Sequence, residues 1–307
     1  MKKTFDASRP STGPASWPSK GPSAWKGAVA AGGRARVTRV GGLLTLLLVG
    51  WAVRAGAAAV SPMAVYLDDR ARTSSITLFN PGELAEEIEI GFAFGYPTSD
   101  AEGNVGVALV EEPGADEPNA VPWLRAFPRR LVLEPGQRQV VRIMVQPPAG
   151  LDDGEYWGRA LIRSRGGQPP IEELRGDVAV QVNVETVVVA AVSYRHGRVD
   201  TGLEVVAAGA RRDGGRVVGL IDLARMGNAA FLGRIVAEVI DGEGMVLGAT
   251  EDVLAVYRTI RRRVEVPVPA GAEGPLRLRY RLDTDRDDLP AGGPLPAEPV
   301  VHTVPVA

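Results

Sequence analysis

The chain has 307 residues and contains no cysteine, 37 glycines and 24 prolines. This length gives room for two domains of ordinary size, and the lack of cysteine excludes disulfides, thiolate metal sites and cysteine nucleophiles. The formal net charge is −2, and the residues after Ala57 carry 26 arginines and 36 acidic residues, so we expect an acidic surface and no nucleic-acid partner.

The N-terminal residues differ in composition from the rest of the chain. Residues 1–40 are rich in Ser, Pro, Gly and Ala and hold all four lysines, which predicts a disordered extension. Residues 41–59 form a short apolar run followed by small residues, which is typical of a secretory signal cleaved near Ala57 or Ala59. A buried core helix or an uncleaved anchor is the alternative interpretation.

The remaining sequence consists of short β segments. Apolar and β-branched runs are punctuated by Gly, Pro and Asp-Gly, and no stretch keeps a helical period for a dozen residues. The number and spacing of the predicted strands favour an all-β protein of two immunoglobulin-like sandwich domains in tandem, residues 60–192 and 193–307.

Two corners are predicted from proline and glycine. Asn80-Pro81-Gly82 and Pro135-Gly136 each offer a proline that presets φ and a glycine that accepts the positive φ of a type II turn. After Gly136 the sequence alternates, which predicts a half-buried strand with Val141, Ile143 and Val145 on its inner face. In the next strand, "GEYWGRALIRS", we expect Tyr156 and Trp157 to anchor the sandwich core.

The segment "DVAVQVNVETVVVAAV", residues 177–192, predicts one long strand that could exceed about 40 Å. A row of valines lies on one of its faces: Val178, Val180, Val182, Val184 and Val188. Two interpretations stay open. The strand either crosses from one domain core into the next, or it is an edge strand whose valine row is completed by another protein.

Residues that could carry chemistry are few. His196 and His302 are predicted to lie in a linker and a tail, too far apart in the chain to suggest a metal pair. Asp152 and Asp153 fit a turn better than an acid–base pair. The run Asp283–Asp288 begins like a calcium loop but lacks the glycine that such a loop needs. We therefore predict no enzyme activity, no metal, no cofactor and no small-molecule substrate.

One cluster of cations stands out. Arg261, Arg262 and Arg263 alternate along a predicted strand, which favours a solvated strand edge over a binding patch.

Three segments together resemble the periplasmic chaperones of pilus and fimbrial assembly. They are "VYLDDRARTSSITLFNPG", "FPRRLVLEPGQRQVVRIMV" and "LDDGEYWGRALIRS", in the order and spacing of that family. The resemblance covers roughly residues 61–192, and "LARMGNAAFLGRIVAEVID" extends it to the second domain in arrangement only. It implies a periplasmic L-shaped pair of domains that binds a pilus- or fimbria-type subunit and lends it the valine strand, with an outer-membrane usher as a further partner.

The resemblance breaks at one site. The family anchors the terminal carboxylate of the subunit with an arginine in the first strand and a lysine in the donor strand, whereas this sequence has Ala64 and Glu185 there. Glu185 would repel a carboxylate, so the anchor is unknown. Arg70 and Arg72 are alternative sources of a cation, and the sequence does not choose between them. The alternative function is an exported structural or adhesive protein that uses the same valines only as core, and a hydrolase is a third hypothesis.

Overall fold

The computed structural model of the protein describes residues 58–167, 171–175, 178–182, 184–272, 274–290 and 292–307. For 171–175 and 178–182 it describes the backbone but not the side chains. The predicted extension, residues 1–40, and nearly all of the predicted signal segment, residues 41–59, lie outside this set. Within the described residues, no helix has the length and hydropathy of a membrane span.

The described residues before position 197 contain twelve strands and one short 3-10 helix, Val121–Trp123. The strands are β1 (Ala59–Ser61), β2 (Ala64–Asp68), β3 (Thr73–Phe79), β4 (Glu86–Ser99), β5 (Val105–Val110), β6 (Leu124–Phe127), β7 (Arg130–Leu133), β8 (Arg138–Val145), β9 (Gly154–Gly166), β10 (Ile171–Arg175), β11 (Val178–Val182) and β12 (Glu185–His196).

Two of the resulting sheets form the first sandwich. One has the order β1-β3-β8-β6, and the other has the order β2-β12-β9-β4-β5, with β7 also paired to β4. Alternate residues of both sheets point inward because side chains alternate along a strand. Ile76 and Ile143 from one sheet therefore share a core with Ile90, Ile162 and Val192 from the other.

The corner at Gly136 is confirmed. Gly136 has φ +71°, and the N–H of Gln137 donates to the carbonyl of Glu134 at 3.0 Å. The prediction of a positive φ at Gly82 is wrong. There the side chain of Asn80 shapes the corner, since its Oδ1 accepts the N–H of Gly82 at 2.8 Å.

The second sandwich follows residue 200. Its strands are β13 (Thr201–Asp213), β14 (Arg216–Gly227), β15 (Phe231–Ile240), β16 (Val246–Val256), β17 (Thr259–Pro267), β18 (Arg277–Asp283) and β19 (Val300–Pro305). The sheets β13-β14-β17 and β16-β15-β18-β19 enclose a core with Ile221, Ile235 and Tyr280. The predicted all-β architecture of two tandem sandwiches is thus confirmed.

The expected domain boundary between residues 192 and 193 falls inside β12. This strand stays paired with β9 as far as His196, opposite Gly154. Residues 193–196 are therefore part of the first sandwich.

The prediction of one long strand over residues 177–192 is wrong. β11 pairs with β10 as a separate antiparallel hairpin, with Val182 opposite Ile171, and β12 begins only at Glu185. The backbone groups of Val178–Val182 find their partners in that hairpin instead of in a continuation of β12.

Aromatic residues join the two sandwiches. Phe94 and Trp157 of the first sandwich pack with Leu232 and Tyr257 of the second, and Trp157 is fully buried there. The expectation that Trp157 anchors the sandwich core is wrong, because its ring lies between the sandwiches. Tyr156, on the opposite face of β9, packs partly against the first core.

Candidate functional site

The candidate site begins at the first half of β12. On one flank, β12 pairs with β9 along its whole length, from Glu185 to His196. On the other flank, it pairs with the parallel strand β2 only from Ala191 onward. Among the described residues, Glu185–Ala190 have no partner on that flank, so half of β12 is an open edge.

The orientation of the open backbone groups follows from strand geometry. The N–H of Ala191 donates to the carbonyl of Met63 at 2.8 Å, on the flank of β2. Residues two and four positions earlier in an unbulged strand point the same way, so the N–H groups of Val189 and Val187 face the open flank. An added strand could bind them.

The predicted valine row lies only partly on this edge. Val184 is 46% exposed just before β12, and Val188 packs partly against the first core. On the opposite face Val187 is 42% exposed. The side chains of Val178, Val180 and Val182 lie outside the described residues. The open half of β12 is therefore apolar on both faces.

The two residues at the family's anchor positions are not neighbours. Ala64 lies opposite Ala191, six residues beyond Glu185, which is about 20 Å along the strand. Glu185 is ion-paired with Arg165, whose Nε lies 2.5 Å from its Oε2. The carboxylate of Glu185 is thus bound to Arg165. The residue of β12 that lies beside Ala64 is Ala191 and not Glu185.

A different cation lies in the same row of the sheet. Arg159 on β9 is opposite Ala191, which is opposite Ala64. Arg159 is buried, with only 5% of the residue exposed, and its Nε donates to the carbonyl of Gly95 at 3.1 Å. Its Nη2 is buried and has no hydrogen-bond partner among the described residues.

Arg159 lines a cavity of about 710 Å³ at the junction of the sandwiches. Met63 and Ala64 at the start of β2, Ala191 of β12 and Tyr257 of the second sandwich also line it. The guanidinium carbon of Arg159 lies 5.0 Å from the centre of the Tyr257 ring. Burial raises the pKa of Tyr257, so its hydroxyl stays neutral and adds no negative charge.

A buried guanidinium with an unused N–H is suited to an anion. Arginine keeps its charge in proteins and presents donors in a planar fork that matches a carboxylate. The cavity adjoins the point where β2 begins and where the open flank of β12 ends. A polypeptide strand on that flank would therefore have one end beside Arg159.

A buried ion pair, Glu155 and Arg195, lies where the two sandwiches meet. Glu155 accepts the N–H of Ala230 in the second sandwich at 2.7 Å, and its other oxygen lies 3.5 Å from Nε of Arg195. Arg195 in turn donates to the carbonyls of Gly292 and Gly293. These contacts connect β9 and β12 to the second sandwich.

Arg159, Glu155 and Arg195 were not identified from the sequence. Each lies on the outer face of its strand, where charged residues predict a solvated surface. The signal that could have found them is Trp157, a large apolar residue on that same face.

The arginine cluster of β17 is paired within its own sandwich. Arg261 binds Asp222, Arg262 binds Asp252, and Arg263 binds Glu265. These contacts leave the three side chains with acidic partners, which suits a strand edge and not a binding patch.

The two histidines lie in strands and not in a linker or tail. His196 closes β12, and its Nδ1 lies 2.9 Å from Oδ1 of Asp69, while His302 lies in β19. The backbone N–H of Gly197, together with Tyr194 and His196, lowers the pKa of Asp69.

The predicted turn residues accept hydrogen bonds through their backbone carbonyls, and the acids of the predicted loop are ion-paired. The carbonyl of Asp152 accepts the hydroxyl of Tyr156 at 3.0 Å, and that of Asp153 accepts the side chain of Asn228 at 3.0 Å. In the calcium-like run, Arg234 pairs with Asp283 and Asp285, and Arg286 pairs with Asp288. No group of three metal-ligating side chains occurs in the part of the chain that the structure describes.

Comparison with known proteins gave structural neighbours only. No family model and no curated protein matched the sequence. The similar solved structures include the YadV chaperone (12% identity, 81% of this chain and 98% of that chain, TM-score 0.41). Another is the CupB2 chaperone of Pseudomonas aeruginosa (12% identity, 81% and 100% of the chains, TM-score 0.39).

A third similar structure contains two proteins. It is a pre-assembly complex of the chaperone CsuC with the tip subunit CsuE, from archaic chaperone-usher pili of Acinetobacter baumannii (9% identity, 81% and 98% of the chains, TM-score 0.39).

Proposed function

We propose that the protein is a periplasmic chaperone that binds a pilus- or fimbria-type subunit and lends it an edge strand. The observation that carries this proposal is the open flank of Glu185–Ala190, which ends at the cavity of Arg159. An unpaired strand edge with apolar residues on both faces is a template for β-strand addition. An incomplete sandwich that lacks one strand is the client that such an edge fits.

The geometry also favours a direction for the client strand. β2 runs parallel to β12 on the same flank and begins beside Ala191. A client strand that pairs with Glu185–Ala190 in the direction parallel to β12 would lie in line with β2. Its C-terminal end would then lie at the Arg159 cavity. Its terminal carboxylate would then bind Nη2 of Arg159. Arg159 would thus anchor the carboxylate, which Ala64 and Glu185 cannot do.

Val184 and Val188 keep their proposed role in this arrangement. Val184 is exposed beside the open flank, and Val188 is at the border of the first core, so both could contact a client that extends the sheet. Val178, Val180 and Val182 stay predicted contacts from the sequence pattern, as does the usher as a further partner.

The alternative is a structural or adhesive pair of sandwiches without a client. In that case the open flank of β12 would serve no binding role, and the protein would purify from the periplasm alone.

Co-purification distinguishes the two functions. The tagged protein is expressed in its source cell, isolated from periplasmic extract, and the bound chains are identified. We expect an exported fibre subunit in a defined ratio with the wild type and its loss with Val187→Pro, which removes one open-edge N–H. As a control, Val253→Ser alters an exposed residue of the second sandwich and should keep the client. A subunit that stays bound to Val187→Pro, or no subunit with the wild type, would refute the proposal.

A further inference from the structure

A second contact between the sandwiches lies away from the aromatic junction. The turn between β4 and β5, residues Asp100–Asn104, reaches β17 of the second sandwich. The hydroxyl of Ser99 accepts the N–H of Arg261 at 2.7 Å, and the carbonyl of Gly103 accepts the N–H of Arg263 at 3.3 Å. The guanidinium of Arg261 also donates to the carbonyl of Ala101 at 3.2 Å.

These bonds use the free flank of an edge strand. β17 ends the sheet β13-β14-β17 and pairs with β14 on its other side. The N–H groups of Arg261 and Arg263 would otherwise be unpaired, and the turn of the first sandwich occupies them. The carboxylate of Asp222 holds the Arg261 side chain in place through two bonds, at 2.6 and 2.7 Å.

The turn itself is built for a close approach. Asp100 accepts both the backbone and the side-chain N–H of Asn104 at 2.8 Å, which fixes the loop. Gly103 has φ +83°, and a Cβ added there would lie 2.7 Å from the backbone nitrogen of Arg263. A side chain at this position would therefore push β17 away.

The same hairpin is a wall of the Arg159 cavity. Pro97 on β4 lines that cavity, whereas its neighbours Tyr96 and Thr98 line a second cavity of about 690 Å³ on the other side. A movement of the hairpin tip relative to β17 would change the width of the space where Arg159 lies.

We propose that the β4–β5 turn is a detachable clip that holds the two sandwiches at a fixed opening and so sets the width of the Arg159 cavity. Its hydrogen bonds are few and close to the surface, so it can open without loss of either core. The consequence for client binding rests on the proposed function, but the clip itself does not.

The absence of cysteine in the chain allows a direct test. Cysteines placed at Val140 and Val301, exposed residues of the first and second sandwich, carry spin labels for pulsed electron-resonance distance measurement without client. We expect Gly103→Ala to broaden the distance distribution relative to the labelled parent. Gly106→Ala, in the same hairpin with open space around its Cβ, and Gly136→Ala, with φ +71° and open space, should leave it unchanged.

An unchanged distribution in folded Gly103→Ala would overturn the clip. If that variant does not fold, the Ser99→Ala/Arg261→Gln double variant is measured, because it removes two of the hydrogen bonds without backbone strain. An unchanged distance distribution in the double variant again overturns the proposal. A broadened distribution with faster release of the co-purified subunit supports both proposals. A broadened distribution in a protein that binds no subunit supports the clip and refutes the chaperone function.

Discussion

The backbone N–H of Ala191 donates to the carbonyl of Met63 at 2.8 Å, and this bond is where pairing between β12 and β2 begins. Before it, β12 is bound to β9 alone among the described residues. β12 is thus an interior strand from Ala191 onward and an edge strand over Glu185–Ala190. Edge strands of this kind are usually protected by charge, proline or a covering segment. The apolar side chains of Val187 and Val189 suit this edge to an added strand instead.

Proline substitutions distinguish the two flanks of β12. Val187→Pro removes an N–H from the open flank, so we expect a loss of stability below about 1 kcal/mol, because proline is tolerated on a free strand edge. Val188→Pro removes an N–H that faces β9, and we expect a larger loss, of about 1–3 kcal/mol, because a carbonyl of β9 is left without its donor. Urea unfolding of both variants measures the difference. Equal losses would mean that both flanks of β12 are paired in solution.

Arg159 should confer a preference for a terminal carboxylate. A peptide with the C-terminal sequence of the co-purified subunit is compared with its amidated form. A hydrogen bond to a charged group contributes about 1.5–3 kcal/mol, so we expect the wild type to bind the acid roughly 10- to 100-fold more tightly. In Arg159→Met the two peptides should bind equally, whereas Arg159→Lys should keep part of the preference. A wild type that does not discriminate between the peptides would exclude Arg159 as the anchor.

The sequence predicted strands well where one face is buried and the other solvated. The inner positions Val141, Ile143 and Val145 are buried as the alternation of β8 predicts. The corner at Gly136 was equally predictable, because a glycine after proline has a specific conformational role there.

Features that depend on tertiary contacts were not predictable. A single polar residue, Asn183, follows the end of β11 and the alternation continues through it, so alternation alone gave one strand instead of two. Arg159 and Glu155 occupy outer positions of β9 that would be solvated in an isolated sandwich. They are buried only because the second sandwich covers them, and no local pattern encodes that contact.

Acid should weaken the cluster around Asp69. The N–H of Gly197, the hydroxyl of Tyr194 and Nδ1 of His196 bind this carboxylate at 3.0, 2.7 and 2.9 Å, and they lower its pKa in the folded state. A folded pKa below the unfolded value of about 3.9 means that the stabilisation is present above about pH 4 and is lost as the pH falls further.

The Asp69→Asn variant tests this pH dependence. We expect the wild type to be more stable than the variant at pH 6, and the difference in the free energy of unfolding to shrink between about pH 4 and pH 2. Urea unfolding across this range measures it. A difference that stays constant with pH would show that the ionised carboxylate contributes nothing.

Loss of the Asn80 side chain should destabilise the first sandwich. Its side chain is fully buried, and its Nδ2 donates to the carbonyls of Leu84 and Leu133, each at 2.8 Å, while its Oδ1 accepts the N–H of Gly82. The bond to Leu133 connects two segments that are 53 residues apart in the chain. Asn80→Ala removes all three bonds and leaves buried carbonyls without donors, which we expect to cost about 2–4 kcal/mol of unfolding free energy.

Asn104 provides the matched control for Asn80. It is exposed in the β4–β5 turn, and its side chain makes one hydrogen bond, to Asp100 at 2.8 Å. Asn104→Ala should therefore lower the unfolding free energy by less than about 1 kcal/mol, because water can replace the lost bond. Thermal and urea unfolding of the two variants give the comparison. If Asn80→Ala were as mild as Asn104→Ala, the corner after β3 would have to be held by its backbone alone, and the buried amide would not be what joins β3 to the end of β7.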